Sequence, residues 1–247
     1  MKRKEQIKDF YEKFSQTLIK DKINPNPRHQ KIKSYLKDLF QKYEFNNALE
    51  VGCGIGIISE FIAKNVPEVT GIDISEENIK FAKVTNKKIN FYCADFLEYR
   101  VNENFDLITL FDVLEHIPKE MHPDVFSRIK KISNADTKII LTIPDPYYLS
   151  YIRENSPQKL QVVDECIFLD EMMQIFKQNE LEVLAYEKYG IDYDDQYNFY
   201  LLSYVKTPIT LTPPFLADNN IFKKYFGKMM NRIRRISGQI RYGKYLK

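Results

Sequence analysis

The sequence predicts an α/β fold: a doubly wound, mostly parallel seven-stranded sheet with an antiparallel edge strand, an N-terminal helical cap and a basic C-terminal helix. Short β-branched apolar runs alternate with amphipathic helical segments from residue 47 onward, as a parallel sheet covered on both faces requires. A glycine-rich turn directly follows the first run. Two further runs, 181–189 and 197–205, follow the last helical segment and are placed to pair antiparallel at one edge.

Each element has a local cause. Ile7, Phe10, Tyr11, Phe14 and Leu18 recur at helical spacing. Asn24-Pro-Asn-Pro27 interrupts that helix, because proline fixes φ and disfavours helix in the residue before it. A second helix is expected over 28–43, with Ile32, Tyr35, Leu36, Leu39 and Phe40 on one face. The run 48–51 enters the glycine turn and a helix follows over 57–65. Strands are expected at 69–72, 89–93, 105–110 and 138–143. Ser75 is placed to cap a helix over 76–84, and further helices are expected over 123–132 and 170–178. The chain thus divides into a cap or lid at 1–46, a core at 47–205 with a substrate cover near 147–168, and a basic amphipathic tail at 206–247.

Composition narrows the class. The chain has 247 residues, 44% hydrophobic and 29% charged, which is the balance of a folded protein rather than a disordered one. No stretch reaches the roughly 18 consecutive apolar residues of a membrane span. The charged N-terminus does not resemble a secretory leader, and Cys53, Cys93 and Cys166 are too few and scattered for a disulfide scaffold or zinc ribbon. A cytoplasmic location is expected. From Asp218 onward there are nine Lys/Arg against one acid, so the rest of the chain is mildly acidic. A basic amphipathic helix of this kind suits an anionic membrane surface, a partner, or the protein's own core. Nucleic acid is not favoured, because the basic charge is confined to the end.

The chemistry is concentrated at the strand ends. Leu49-Glu-Val-Gly-Cys-Gly-Ile-Gly56 places Gly52, Gly54 and Gly56 where a backbone can approach a ligand without Cβ interference. The spacing is tighter than the GxGxxG of dinucleotide sites. Asp73 ends the second strand, in the position where an acid accepts bonds from ribose hydroxyls. Asp95 ends the third, where a carboxylate can accept from an adenine amino group.

Glu50–Gly56, Gly71-Ile-Asp-Ile-Ser75, Ala94-Asp95 and Phe105-Asp-Leu-Ile followed by Asp112-Val-Leu-Glu-His-Ile117 resemble the ordered motifs of class I S-adenosylmethionine-dependent methyltransferases, with a Rossmann-like core. The likeness covers about residues 47–145 and is nearest to the ubiquinone-biosynthesis-like branch with its Leu-Glu-His signature. It implies an enzyme that takes S-adenosylmethionine and releases S-adenosylhomocysteine. It also implies that Gly52, Cys53 and Gly54 approach the methionine part, with Glu50, Gly56 and Phe111 in the same cofactor site. Asp73 would hold the ribose, Ile74 would pack on adenine, and Asp95 with Phe96 would address its amine and face.

An oxygen acceptor needs a base, and His116 is the best placed, with Asp112 beside it; packing at a helix end is the alternative for His116. Asp112, Glu115 and His116 form a cluster in which Mg²⁺ is conceivable but not favoured, and no metal ligands are assigned. His122 reads as structural, and His29 lies where a cofactor lid passes. Tyr11, Asp145, Tyr147 and Tyr148 are the candidate acceptor-binding residues, although aromatic faces with hydroxyl tips suit an interior as well as a polar ring. The leading expectation is O-methylation of a small molecule or saccharide. A quinone-like or lipid-linked acceptor is the alternative, as is a non-catalytic regulatory protein that binds the cofactor.

Overall fold

The computed structural model describes residues 18–206 except Pro25 and Asn102. Tyr11, most of the first expected helix and the basic tail from residue 207 lie outside the described residues. Seven strands form one sheet: β1 (Asn47–Val51), β2 (Glu68–Asp73), β3 (Asn90–Cys93), β4 (Phe105–Phe111), β5 (Ser133–Pro144), β6 (Leu181–Tyr189) and β7 (Tyr197–Tyr204). Their order is β3-β2-β1-β4-β5-β7-β6. All pairings from β3 to β5 are parallel, and β7 runs antiparallel to both β5 and β6. The reversed strand therefore lies one in from the edge, with β6 outermost.

Among the described residues, helices pack on the sheet, including α1 (Pro27–Phe40), α2 (Ile57–Ile62), α3 (Glu76–Thr85), α4 (His122–Lys131), α5 (Pro146–Asn155) and α6 (Leu169–Gln178). Side chains alternate across the sheet, as strand geometry requires. Leu49, Ile108, Ile139 and Leu141 meet Phe126 and Ile129 of α4 and Phe176 of α6 in one core. Ala48, Leu107 and Ile140 meet Ile32, Leu36 and Leu39 of α1, Ile58 of α2 and Ile79 of α3 in the other.

Three boundaries differ from expectation for local reasons. Helix α1 begins at Pro27, whose absent N–H costs nothing there, and Asn26 caps it by accepting from the Arg28 N–H at 2.9 Å. Helix α2 stops at Ile62, shortly before Pro67. Strand β5 starts five residues early, at a register shift against β4, where Thr137 Oγ1 donates to the Phe105 carbonyl at 2.7 Å.

The strand register sets the site. Val51 pairs with Ile72 on one side and Leu110 on the other, so β1, β2 and β4 end level. Asp73 pairs with Cys93, which puts Asp95 two residues past the same edge. Strands to one side of β1 continue through β2, and those to the other through β4, so the connections diverge at this point. Such a divergence opens a crevice beyond the carboxyl ends of the strands.

Candidate active site

Two hollows occupy that crevice. One, about 400 Å³, is lined by Ile74, Asp95, Phe96 and Val113 among mainly apolar neighbours. The other, about 240 Å³, is lined by Arg28, Glu50, Glu115, Tyr148, Asp164 and Tyr197. Gly52, Asp73, Asp112 and His116 line both. The level strand ends thus bring most of the sequence-predicted residues to one place.

The glycine turn is shaped by its backbone. Gly52, Gly54 and Gly56 have φ of 70°, 53° and 82°, a region that favours glycine. A Cβ on Gly52 would stand 2.5 Å from Val113 Cγ2, and one on Gly56 2.7 Å from Phe91 Cζ. The bare turn is tied to its neighbours: the Cys53 N–H donates to the Ile72 carbonyl at 3.0 Å, and the Gly54 N–H to Asp73 Oδ2 at 2.8 Å. Asp73 Oδ1 accepts from the Ser75 N–H at 2.8 Å and from Asn78 Nδ2 at 3.3 Å. Residues 18–23 are helical, and Leu18 packs over Gly54. Lys22, in the same segment, pairs with Glu60 of α2.

This cradle fits an adenosyl sulfonium. The larger hollow is mainly apolar, with the Asp73 and Asp95 carboxylates among its lining. Asp95 Oδ1 accepts from the Leu97 N–H at 2.9 Å, which fixes the carboxyl in the turn. Phe96 is buried, and Ile74 and Val113 both line the slot. Phe111 lines the smaller hollow rather than the adenine slot. Glu50 lies beneath the turn and accepts from Ser59 Oγ. Burial pushes its carboxyl up to about 8, with Asp73 adding to the rise. Burial likewise raises the Cys53 thiol and keeps it neutral.

The smaller hollow carries the charge. Asp112 has φ of 55°, rare for a non-glycine residue. Its Oδ1 accepts from Thr142 Oγ1 at 2.7 Å and its Oδ2 pairs with Arg28 Nη1 at 2.7 Å. Burial opposes the charge on Arg28, but Asp112, Tyr197 and Glu115 outweigh it and hold the guanidinium protonated. Asp112 is therefore committed to Arg28 and Thr142 and holds α1 against the strand ends; it is not poised as a base. Among the described residues no group of three or more His, Cys, Asp or Glu is arranged to hold a metal ion.

His116 lies in a 3₁₀ turn at Leu114–His116. Its Nδ1 is 2.7 Å from the Val163 carbonyl and 3.2 Å from Asp164 Oδ1. Its Nε2 is 3.7 Å from Glu115 Oε1. Burial opposes the ring's charge, but Glu115, Asp164 and the Val163 carbonyl outweigh it and raise His116 to about 9. Glu115 is fully buried, and burial pushes its carboxyl upward against the pull of His116. His29 also lines the hollow, where burial, Arg28 and Lys33 lower it to about 4 and keep it neutral. His122 is buried, and its Nε2 donates to the carbonyls of Leu114 at 3.1 Å and Ile117 at 2.9 Å; it holds the 3₁₀ turn in place.

The acceptor candidates separate. Tyr148 lines the smaller hollow. Tyr147 is 70% exposed and packs edge-on against Phe168 instead. Asp145 is buried as the cap of α5: it accepts from the Tyr147 N–H at 3.0 Å and pairs with Lys188 at 2.8 Å. An Asp-Pro pair before an amphipathic run is itself a helix-start signal, and here that role consumes the carboxylate. Arg28 and Tyr197 also line the hollow, and spacing along the chain gave neither a role.

A family model described as a methyltransferase domain matches residues 2–196. The chain belongs to this family. By family it is a class I S-adenosylmethionine-dependent methyltransferase. Ubiquinone biosynthesis O-methyltransferases are among its curated relatives. The one from Coxiella burnetii is 36% identical over 122 residues, 45% of this chain and 52% of that protein. The one from Idiomarina loihiensis is 34% identical over 103 residues, 39% of this chain and 40% of that protein. The matches thus span about half or less of those relatives' length. The fold is shared with N-methyltransferase NodS from Bradyrhizobium japonicum, solved with S-adenosylhomocysteine, at TM-score 0.62 and 18% identity over 74% of this chain and 91% of that one. Magnesium protoporphyrin IX methyltransferase from Synechocystis, solved with S-adenosylmethionine, gives TM-score 0.64 at 13% identity over 82% and 97%. Among the described residues of this methyltransferase, no helix is long and apolar enough to cross a membrane.

Proposed function

We propose that the methyltransferase acts on a hydroxyl of an aromatic, quinone-type ring, with His116 as the base. The observation that carries this reading is the place of His116: it lines both hollows at their junction, with Nδ1 engaged by a carbonyl that can only accept. S-adenosylmethionine supplies a methyl group already activated on a sulfonium. The protein's task is to align the acceptor, exclude water and take a proton.

The turn backbone at Gly52 and Gly54 gives the methionine part close access, and Arg28 offers a half-buried guanidinium for its carboxylate. Asp73 suits the ribose hydroxyls; Ile74, Asp95 and Phe96 suit adenine. Because the Val163 carbonyl accepts from Nδ1, Nε2 is the nitrogen that exchanges a proton. A base raised to about 9 is closely matched to a phenolic hydroxyl, which ionises near about 10. It is poorly matched to a sugar hydroxyl, a far weaker acid. That match and the curated relatives favour a ring over the saccharide that the sequence put first. Tyr148 and Tyr197 supply aromatic walls for such a ring.

Methyl transfer from labelled S-adenosylmethionine to a polyprenylated catechol in detergent, set beside a nucleotide-sugar, tests the acceptor class. Label on the catechol oxygen is expected. Label on the sugar alone would overturn the ring reading.

A further inference from the structure

We infer that Asp164 is a positioning residue that, beside the Val163 carbonyl, reinforces the Nδ1–H tautomer of His116 and stabilises its charge from the segment that walls the acceptor hollow. The inference rests on His116 being the base proposed above. The Val163 carbonyl at 2.7 Å and Asp164 Oδ1 at 3.2 Å both meet Nδ1, and both come from the stretch after α5.

That stretch is clamped to the base's own turn. The Glu165 N–H donates to the Glu115 carbonyl at 2.8 Å, and Arg153 Nη2 donates to the Asp164 carbonyl at 2.7 Å. Val163 and Ile167 bury their side chains on either side of Asp164. Lys159, Leu160, Gln161 and Asp164 meanwhile line the smaller hollow. One segment therefore both lines the hollow proposed for the acceptor and contacts the ring proposed to take its proton.

The electrostatics agree with the geometry. His116 faces Glu115 on its own turn, Asp112 from the end of β4 and Asp164 from the cover, while Arg28 of α1 is paired to Asp112. Lys159 and Tyr148 line the same hollow, and Glu120 lines the other. Glu115 and Asp164 lie on opposite nitrogens. An opposite charge within about 4–6 Å of an ionisable group moves its titration by about 1–3 units. Asp164 stands on the side that sets which nitrogen keeps its proton.

The test is a ¹⁵N NMR titration of the three histidine rings in the full chain, with His116→Gln identifying the resonance. In the unaltered protein the neutral form of His116 is expected as the Nδ1–H tautomer. In Asp164→Asn its midpoint is expected to fall by about one unit, and Asp164→Glu should restore it. The acid limb of kcat/KM for a catechol is expected to move down by the same amount. A predominantly Nε2–H tautomer in the unaltered protein, or an unmoved midpoint in Asp164→Asn, would overturn the inference. The ring titration needs no turnover, so it separates this outcome from a failure of the base reading, which full activity in His116→Gln would reveal.

Discussion

Asp73→Ala is expected to weaken S-adenosylmethionine binding by about 100- to 1,000-fold. Asp73 lines both hollows at their junction and holds the glycine turn through the Gly54 N–H. Its carboxylate is the acceptor proposed for the two ribose hydroxyls. Each hydrogen bond to a charged group contributes about 1.5–3 kcal/mol, and losing two at the low end costs about 3 kcal/mol, more than a hundredfold in affinity. Loss of the bonds to Gly54 and Ser75 also loosens the turn, which adds to the effect. Isothermal calorimetry measures it directly, with thermal unfolding of the free variant as control. A dissociation constant within threefold of the unaltered protein would contradict the ribose assignment.

His116→Gln is expected to lower kcat/KM for a catechol by about 10²- to 10⁴-fold, the range for a positioned general base, with cofactor affinity unchanged. Glutamine keeps much of the side chain's bulk but cannot accept the proton. The pH dependence carries the sign. The neutral ring is the active form, and its neighbours raise His116 to about 9. The rate in the unaltered protein should therefore climb about tenfold per pH unit through neutrality and level off near that value. An unperturbed imidazole would level off near about 6.5. In the variant the climb due to His116 should be absent. Steady-state assays from pH 6 to 10 distinguish these outcomes.

The convergence of the glycine turn, Asp73 and Asp95 at the strand ends could be read along the chain because it is built from local signals. A glycine turn after a buried strand and acids closing the next two strands each announce their position, and parallel register then brings them together. The place of His116, the proposed base, could be read for the same reason, since Leu114-Glu-His116 follows the fourth strand closely. The partners that govern its chemistry could not be assigned. Arg28 reaches Asp112 from a helix 84 positions away, and Asp164 reaches His116 from 48 positions away. No periodicity encodes such contacts. Asp145 shows the opposite hazard: a carboxylate beside the site in sequence is absorbed by capping α5 and pairing with Lys188. Tyr147 and Tyr148 are adjacent, and the turn of α5 sends one to solvent and the other to the hollow.

The central proposal is that the adenosyl group lies across the ends of β1, β2 and β4, and a crystal structure of the protein with S-adenosylhomocysteine tests that placement most directly. The account predicts the ribose hydroxyls on Asp73, the adenine between Ile74 and Val113 with its amine toward Asp95, and the sulfur near Gly52 and His116. An adenine bound away from the Ile74–Val113 slot, or a ribose that leaves Asp73 without contact, would contradict it.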